Sequence, residues 1–293
     1  MIAASLNSAL GRAGLLLMLA ASVIGALTIV VGIWQRDKRL LRQAPRYAWL
    51  ALAGAILSVV MMQRALITRD FSLAYVQQVG SADTPPLYNI AAMWSALEGS
   101  ILLWALTLGV FTGAVAWRFR KRSDDELVGW ALVVMFVVTA FFAMLSFGPA
   151  DAFAAGAPNV TSGPGPNPLL QNHILVLFHP PILYLGYVGF TVPFAFAIAA
   201  LITGRLGEGW LEETRRWALF SWAFLTIGIL LGGWWSYEVL GWSGVWAWDP
   251  VENASLLPWL TGTAYIHSVL VQERRGMLRV WNLSLLVATF ALT

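Results

Sequence analysis

The stretch GLLLMLAASVIGALTIVVGIW, residues 14–34, decides the class of fold. It carries no charged side chain, and about 20 apolar residues are enough to cross the roughly 30 Å of hydrocarbon in a bilayer. It is too long for the core of a secretory signal, and no basic stretch precedes it, so we interpret it as a retained membrane span. Over the whole chain, 59% of the residues are hydrophobic and 11% are charged, which excludes an ordinary soluble domain.

Apolar runs of this length recur along the chain. The sequence therefore predicts an all-α, polytopic transmembrane helical bundle with seven full spans and a partial eighth. The eighth run begins at Val280 and leaves ~21 Å of helix before Thr293, which is less than a bilayer needs. We therefore expect the chain to be a fragment, or its remainder to be a second polypeptide. The spans predicted between the first and the eighth are 47–67, 91–117, 127–147, 181–202, 217–235 and 254–271.

Lysine and arginine residues fall in alternate loops of this arrangement. Because positively charged loops stay on the cytoplasmic side of a membrane, the four basic loops are predicted to be cytoplasmic and the N-terminus to be outside. The segments 148–171 and 232–253 then lie on the outer face. Of the 18 lysine and arginine residues in the chain, 15 lie in these four loops. They are Arg36, Lys38, Arg39, Arg42, Arg46, Arg118, Arg120, Lys121, Arg122, Arg205, Arg215, Arg216, Arg274, Arg275 and Arg279.

The chain has no internal repeat and no low-complexity tract. Its nearest feature to a domain boundary is the glycine- and proline-rich outer segment GPADAFAAGAPNVTSGPGPNP, residues 148–168. We therefore divide the chain into a four-span membrane region (1–147), an outer loop (148–171) and a second membrane region (172–293). The second region contains the stretch LGGWWSYEVLGWSGVWAWDPVENASLLPWL, residues 231–260.

This stretch is unusually rich in tryptophan. An aromatic belt at the membrane surface is one explanation, but a belt would be spread over many helix ends. Clustering in one outer loop, with glycines at 232, 233, 241 and 244 for tight turns, favours a binding floor. Indoles offer wide apolar faces and one N–H donor each, which suits a large planar ligand with polar edges, such as a porphyrin. The five tryptophans are Trp234, Trp235, Trp242, Trp246 and Trp248.

The acidic residues that follow the tryptophans have a structural explanation. Asp249 is predicted to be the N-cap of the seventh span, with Pro250 at its first position and Glu252 at its third. Together Asp249 and Glu252 would form a capping box. This arrangement would set the direction in which the tryptophan-rich segment enters the membrane.

Three histidines and no cysteines limit the metal chemistry of the chain. The absence of cysteine excludes a thiol–disulfide relay and thiolate metal sites within it. His179 precedes two prolines, which lack N–H groups and fit the first turn of a helix. The fifth span is therefore predicted to start near Pro180, with His179 at the outer mouth of the membrane. His173 is interpreted as an ordinary interfacial residue.

His267 is predicted to lie ~20 Å along the seventh span, inside the hydrocarbon. Ionisable groups at this depth are functional candidates. The small residues Gly262, Ala264 and Ser268 would allow another helix to approach closely. For both His179 and His267, a hydrogen-bonded structural histidine is the alternative.

Several motifs, in order along nearly the whole chain, carry a family resemblance. They are RDFSLAYVQQVGSADTPPLYNIAAMWSALEGSILLWA (69–105), NPLLQ (167–171), HPPILYLGYVGF (179–190) and GVWAWDPVENASLLPWLTGTAYIHS (244–268). The last resembles the "WWD" signature of haem-handling proteins of cytochrome c biogenesis. Taken together, the motifs resemble the cytochrome c maturation protein F (CcmF) family.

The resemblance implies a haem lyase in the bacterial inner membrane, acting on the periplasmic face. A haem chaperone would deliver haem, and the lyase would attach its vinyl groups to the two thiols of a Cys-x-x-Cys-His motif in apocytochrome c. It implies that the five tryptophans hold this haem and that His179 is an axial ligand at this outer site. It also implies a stably bound haem b within the membrane, with His267 as one axial ligand.

Other cytochrome c maturation membrane subunits and membrane lipid are the further partners that the resemblance implies, with no nucleic acid among them. Members of the family are about twice as long as this chain, so each haem is expected to take its second histidine from a missing C-terminal half or a second chain. The alternative within the superfamily is a haem transporter or haem-presenting protein without ligation activity. A transporter or anchoring subunit that binds no haem is the alternative outside it.

Overall fold

The computed structural model describes residues 5–167, 173–207, 209–239 and 244–293, and their regular structure is helical. Twelve α-helices and a short 3-10 helix, Arg120–Arg122, are assigned within these ranges. The α-helices are α1 (Leu6–Gln35), α2 (Lys38–Leu41), α3 (Ala44–Ile67), α4 (Ala74–Val79), α5 (Pro86–Ala92), α6 (Leu97–Arg118), α7 (Glu126–Leu145), α8 (Leu175–Gly189), α9 (Thr191–Thr203), α10 (Gly209–Val239), α11 (Pro250–Arg275) and α12 (Arg279–Ala291).

The predicted polytopic helical fold is confirmed. Six helical stretches in the described residues are long and apolar enough to cross a membrane, and α8 and α9 together make one of them. The helix α11 has 26 residues but is not among the six. The seventh and eighth spans and the orientation of the chain therefore stay predictions. The six stretches are Leu6–Gln35, Lys38–Ile67, Leu97–Arg118, Glu126–Leu145, Leu175–Thr203 and Gly209–Val239.

The third span is shorter than the predicted 91–117, because the chain leaves the helical path after α5. The Tyr75 hydroxyl lies 3.0 Å from the Ala92 carbonyl and 2.8 Å from the Met93 carbonyl. The Ser95 hydroxyl also donates to the Ala92 carbonyl, and the Ser100 hydroxyl donates to the carbonyl of Trp94. Side chains thus occupy carbonyls that a continuous helix would use, and α6 begins only at Leu97.

The predicted start of the fifth span near Pro180 is wrong, because α8 begins at Leu175 and holds both prolines in its interior. A proline at 180 leaves the carbonyl of Val176 without its usual helical donor. The indole N–H of Trp94 donates to that carbonyl instead, at 2.7 Å. A side chain from the turn between α5 and α6 therefore replaces the donor that Pro180 lacks.

The predicted single helix 181–202 is two helices, with Phe190 between them. Pro193 has no N–H to donate to the carbonyl of Gly189, the last residue of α8. The helical ladder is therefore interrupted where the one helix ends and the other begins.

The chain forms two compact units, each made of segments that are distant in sequence. One unit comprises the chain up to Ile24, Arg46–Gly113 and Phe136–Phe178. The other comprises Gly25–Pro45, Ala114–Met135 and His179–Thr293. The predicted division at 147 and 171 stays a prediction, because these units are defined by packing contacts and not by a linear division of the sequence.

The first unit is built around buried apolar side chains and tied by polar contacts. Leu15, Tyr75 and Phe153 are fully buried in its core. Arg12 on α1 forms an ion pair with Asp151 at 2.6 Å, and this pair holds the outer segment after α7 against α1. The glycine- and proline-rich segment therefore has an ordered anchor in this unit.

The second unit contains all the described tryptophans of the signature, and α9, α10, α11 and α12 pack together in it. Phe194 on α9 stacks on Phe290 on α12, with ring centroids 3.8 Å apart. At the opposite end of α10 from the signature, Arg122 pairs with both Asp125 and Glu213. This unit therefore positions the candidate site.

Candidate functional site

The tryptophan-rich segment is only partly a loop, which corrects the prediction of a loop for its first residues. Trp234 and Trp235 lie in the last turns of α10, which continues to Val239. Trp246 and Trp248 lie in the non-helical segment 244–249, which leads into α11. Trp242 lies outside the described residues, as do residues 168–172, which include most of the motif NPLLQ.

The imidazole of His179 on α8 lies against α10. Its Nδ1 atom is 2.9 Å from the carbonyl oxygen of Gly228. Because a carbonyl only accepts, Nδ1 must carry the proton, and Nε2 of the neutral ring keeps its lone pair. The ring is also 5.6 Å from the ring of Trp235, with 59° between the planes. This is the tautomer that a histidine needs to bind a metal through Nε2.

Gly232 makes room for this imidazole. A Cβ atom at 232 would lie 2.8 Å from Cε1 of His179. The glycine was expected to allow a tight turn, but it lies within α10, which makes no turn at this position. Its role is to let the His179 ring approach the helix backbone.

Hydrogen bonds from α10 and from α11 hold the segment 244–249. The Ser236 hydroxyl donates to the Gly244 carbonyl at 3.1 Å. At the other end, the Asn253 side chain donates to the Trp248 carbonyl at 2.9 Å. Trp248 has a φ of 60°, in the left-handed region that non-glycine residues seldom adopt. The strained backbone of Trp248, held from α11 by Asn253, indicates that the position of this indole matters.

Asp249 is the N-cap of α11, and its carboxylate accepts from the backbone N–H of Glu252 at 2.7 Å. The reciprocal half of the predicted capping box is different. Glu252 accepts from the N–H of Ala247 at 2.6 Å rather than from the N–H of Asp249. The carboxylate reaches two residues further back and ties the tryptophan-bearing segment to α11.

An apolar pocket of about 350 Å³ lies between α10, the segment 244–249 and α11. Its volume is within the usual range for a ligand site. Trp259 is fixed there by a hydrogen bond from its indole N–H to the Thr226 hydroxyl at 2.8 Å. The pocket is lined by Thr226, Ile229, Leu230, Trp246, Trp248, Leu256 and Trp259.

The structure therefore separates the predicted aromatic floor into two parts. Trp235 faces His179, whereas Trp246 and Trp248 line the apolar pocket, to which His179 does not contribute. Trp234 is more than half exposed, and its indole N–H donates to Glu238. Sequence spacing could not show this separation, because it depends on how α8 and the segment 244–249 pack against α10.

Two of these indoles have buried N–H groups without an acceptor among the described residues. They are Nε1 of Trp235 and Nε1 of Trp246. A buried donor without a partner is costly, and native structures seldom leave one. The two donors lie one in each part of the site, so a ligand with acceptor groups at its edge would satisfy them.

His267 lies in a different environment, on an exposed face of α11. Its Nδ1 atom is 2.8 Å from the Thr263 carbonyl, one turn earlier in the same helix. Nδ1 is again the donor, and Nε2 keeps its lone pair. Of the three small neighbours, Ala264 shares the exposed face, whereas Gly262 and Ser268 are buried. A Cβ at 262 would lie 2.9 Å from Phe190, so Gly262 serves a contact that the chain itself makes.

His173 has the opposite tautomer. Its Nδ1 atom accepts from the backbone N–H of Leu175, the first residue of α8, at 3.3 Å. This contact satisfies one of the free N–H groups at the start of the helix. The three histidines thus divide into one that caps a helix and two that present Nε2.

Comparison with known proteins shows which family the chain resembles. The family model for the cytochrome C assembly protein matches residues 94–293. The chain is 42% identical to cytochrome c-type biogenesis protein CcmF of Pseudomonas fluorescens over 97% of its own length and 43% of that protein. It is 43% identical to CcmF of Escherichia coli strain K12 over 89% of its length and 40% of that protein.

The chain belongs to the CcmF family. The solved structure of a protein titled "Cytochrome c Heme Lyase CcmF" superposes with a TM-score of 0.88 at 39% sequence identity. The match covers 100% of this chain and 46% of that one. The chain therefore spans less than half the length of the CcmF proteins it matches.

The CcmF motifs predicted two of the histidines and the tryptophans but not their supporting residues. Gly228, Gly232 and Thr226 place His179 and Trp259, and of these the sequence singled out only Gly232, for a different role. Their spacing of two and four residues along α10 becomes informative only when α8 and α11 are known to pack on different faces of that helix.

Proposed function

We propose that the chain is the haem-handling part of a cytochrome c haem lyase. The observation that carries this proposal is the His179 imidazole, which presents Nε2 while its other nitrogen is bound to α10. The ring lies beside Trp235, whose indole N–H is buried without an acceptor. A ligand that offers both a metal ion and acceptor groups at its edge would satisfy both residues.

His179 would bind the iron of the substrate haem. The hydrogen bond from Nδ1 to the Gly228 carbonyl fixes the tautomer and limits rotation of the ring. It also makes Nε2 a stronger ligand for a metal ion. Gly232 lets the imidazole keep this position. The role of the residue is to hold the haem in one orientation.

The tryptophans would bind the porphyrin through their apolar faces and its propionates through N–H groups. The unpaired donors are on Trp235 and Trp246. Asp249 and Glu252 already accept backbone N–H groups, so their charge is partly satisfied by the helix end. They support the tryptophan-bearing segment rather than bind the negatively charged propionates.

His267 would be an axial ligand of a resident haem b. The structure offers a suitable donor there, a histidine in the tautomer that leaves Nε2 open on an exposed helix face. When bound, this group would supply electrons that keep the iron of the substrate haem reduced. The second ligand would come from a C-terminal half or a second chain, as the family resemblance implies, because His179 is assigned here to the substrate haem.

The reaction would add each thiol of apocytochrome c across a vinyl group of haem, forming a C–S bond while the thiol hydrogen goes to the second vinyl carbon. The contribution of this chain would be to hold the vinyl carbons on the outer face, where proximity supplies several kcal/mol. A haem chaperone would deliver the haem, and other cytochrome c maturation subunits would hold the apocytochrome.

The test is haem attachment to apocytochrome c in cells that produce the protein with His179→Ala. We expect covalent cytochrome c to fall at least tenfold, with His173→Ala as the matched control because it removes the third histidine without removing a candidate ligand. Normal attachment in the His179→Ala strain would contradict the proposal. Haem bound by the purified wild-type protein without any attachment activity would favour a haem-presenting protein instead.

A further inference from the structure

The end of the second unit away from the signature carries a concentration of exposed arginines. Arg215 and Arg216 lie in the early part of α10, Arg274 and Arg275 end α11, and Arg279 begins α12. All five are exposed. Only Arg215 forms an ion pair with a described residue, to Glu273 at 3.3 Å. The group therefore keeps an excess of positive charge at one end of three helices.

A tight connection brings these arginines together. Gly276 caps α11 with a φ of 66°, and Leu278 precedes α12 with a φ of 67°. Two left-handed residues reverse the chain within three positions, so Arg275 and Arg279 flank the same turn. The contact between Arg215 and Glu273 places the start of α10 beside the end of α11.

Apolar side chains lie next to this charge. Met277, Leu278, Val280 and Trp281 are all exposed, and Val280 has 78% of its surface accessible. A water-facing turn would not carry four such residues in succession around an arginine. Basic side chains together with exposed tryptophan and aliphatic side chains are typical of a segment at the level of lipid headgroups.

A cleft between α10 and α11 begins at Arg215 and has otherwise mostly apolar walls. It is lined by Arg215, Ala218, Leu219, Tyr265, Ile266, Val269 and Leu270. The single charged residue at one end and the apolar walls beyond it match the two ends of an amphiphile. The Tyr265 side chain is almost fully buried there.

We propose that this site binds an anionic phospholipid. The phosphate lies among Arg215, Arg274 and Arg275, and an acyl chain occupies the cleft. Guanidinium groups bind phosphate oxygens with two parallel hydrogen bonds, so Arg is well suited to this headgroup. Basic pockets between membrane helices bind such lipids elsewhere. The site is independent of haem, since it lies on arginines that the proposed function does not use.

The test is a titration of the detergent-purified protein with phosphatidylglycerol or with phosphatidylcholine of the same chains, followed by native mass spectrometry. We expect one phosphatidylglycerol to bind at least tenfold more tightly than phosphatidylcholine. Arg274→Gln/Arg275→Gln leaves the contact between Arg215 and Glu273 in place and is expected to weaken phosphatidylglycerol binding about tenfold or more. Arg36→Gln/Arg39→Gln makes the same change of charge in another basic loop and should have no effect.

A second variant tests the cleft. Leu219→Trp places a large ring on an exposed wall of the cleft and leaves every arginine in position. We expect it to weaken phosphatidylglycerol binding severalfold without a change in thermal unfolding. Equal binding of the two lipids, or an equal loss in the control variant, would overturn the proposal. If a neutral ring compound with an isoprenoid tail instead displaced the lipid and bound the arginine variant as tightly as the unmodified protein, that result would also overturn the proposal. It would show that the cleft does not select a phosphate group.

Discussion

His179 and His267 have the same tautomer but different surroundings. Each donates from Nδ1 to a helix carbonyl and keeps Nε2 open. The acceptor for His179 is on another helix, and an indole lies against its ring. The acceptor for His267 is in its own helix, and the side chain is exposed. The chain therefore positions His179 through tertiary packing, whereas it presents His267 on a surface that something else must cover.

The largest expected effect is at His267. We expect His267→Ala to remove at least 90% of the reduced b-type spectrum and of the pyridine haemochrome signal from the purified protein in its native full-length context. The reason is that loss of one axial ligand leaves the iron without half of its protein ligation. His173→Ala is the control, and a spectrum that survives His267→Ala would show that the exposed face of α11 is not a haem site.

The next largest effect is expected at Gly232, where a substitution should disturb His179 but not His267. Gly232→Ala would place a methyl group 2.8 Å from the His179 ring, so the imidazole must move. We expect the free energy of unfolding to fall by about 1–3 kcal/mol, measured by thermal denaturation. The b-type spectrum attributed to His267 should not change. In a His179→Ala background the same substitution should cost much less, and an equal cost in both backgrounds would mean that the ring is not what the methyl group meets.

A smaller effect is expected at Trp235. Its N–H has no acceptor among the described residues, so Trp235→Phe should affect stability little while weakening haem binding at the outer site about tenfold, since a hydrogen bond to a charged group is lost. Trp259→Phe is the matched control. Its N–H already bonds to Thr226, so that variant should lose about 1 kcal/mol of stability instead. If both variants changed stability and haem binding by the same amounts, the idea that the unpaired indole N–H binds haem would be wrong.

The smallest expected effect is at Asp125, which serves as a control for the variants of both histidines. Burial by itself would raise the pKa of Asp125, but hydrogen bonds from Arg122, the Leu127 backbone and Arg205 outweigh it and hold the pKa below its usual range. A lowered pKa in the folded state stabilises the fold above the unfolded value near 4, and this stabilisation is lost as the pH falls through the folded value.

We therefore expect Asp125→Asn to reduce stability by about 1 kcal/mol at pH 7 and to flatten the loss of stability below about pH 4. Thermal unfolding between pH 3 and 7 would measure both. The difference between the haem spectra of the His179 and His267 variants should be the same with and without Asp125→Asn, because Asp125 contacts neither residue. A change in that difference would show that the ion pairs of Asp125 affect the haem sites.

The proline pair shows why part of the fold was misread from sequence. Proline removes a backbone donor, and the sequence contains no sign of a replacement. In the structure, Trp94 donates to the Val176 carbonyl, from a position 82 residues away along the chain. The break at Phe190 was missed for a related reason. Hydropathy continues through Pro193 without a change, since an apolar residue that lacks an N–H looks like any other apolar residue in such a pattern.

The capping of α11 was readable because its determinants are local. An aspartate, a proline and a glutamate within four positions define a helix start through contacts between near neighbours. The return contact of Glu252 to Ala247 was not readable in the same way. It depends on the left-handed backbone of Trp248, which nothing in the residue type requires.

The sequence by itself determined the helical membrane class, the order of most spans, the family and the identity of the candidate ligands. These follow from residue type and near-neighbour spacing, on which hydrophobic length and helix capping depend. Only the tertiary structure decided that Trp235 faces His179 while Trp246 and Trp248 line a separate pocket, and that His267 lies exposed. The physical reason is that a helix in a bundle is apolar on every side, so its sequence does not record which face packs against which neighbour.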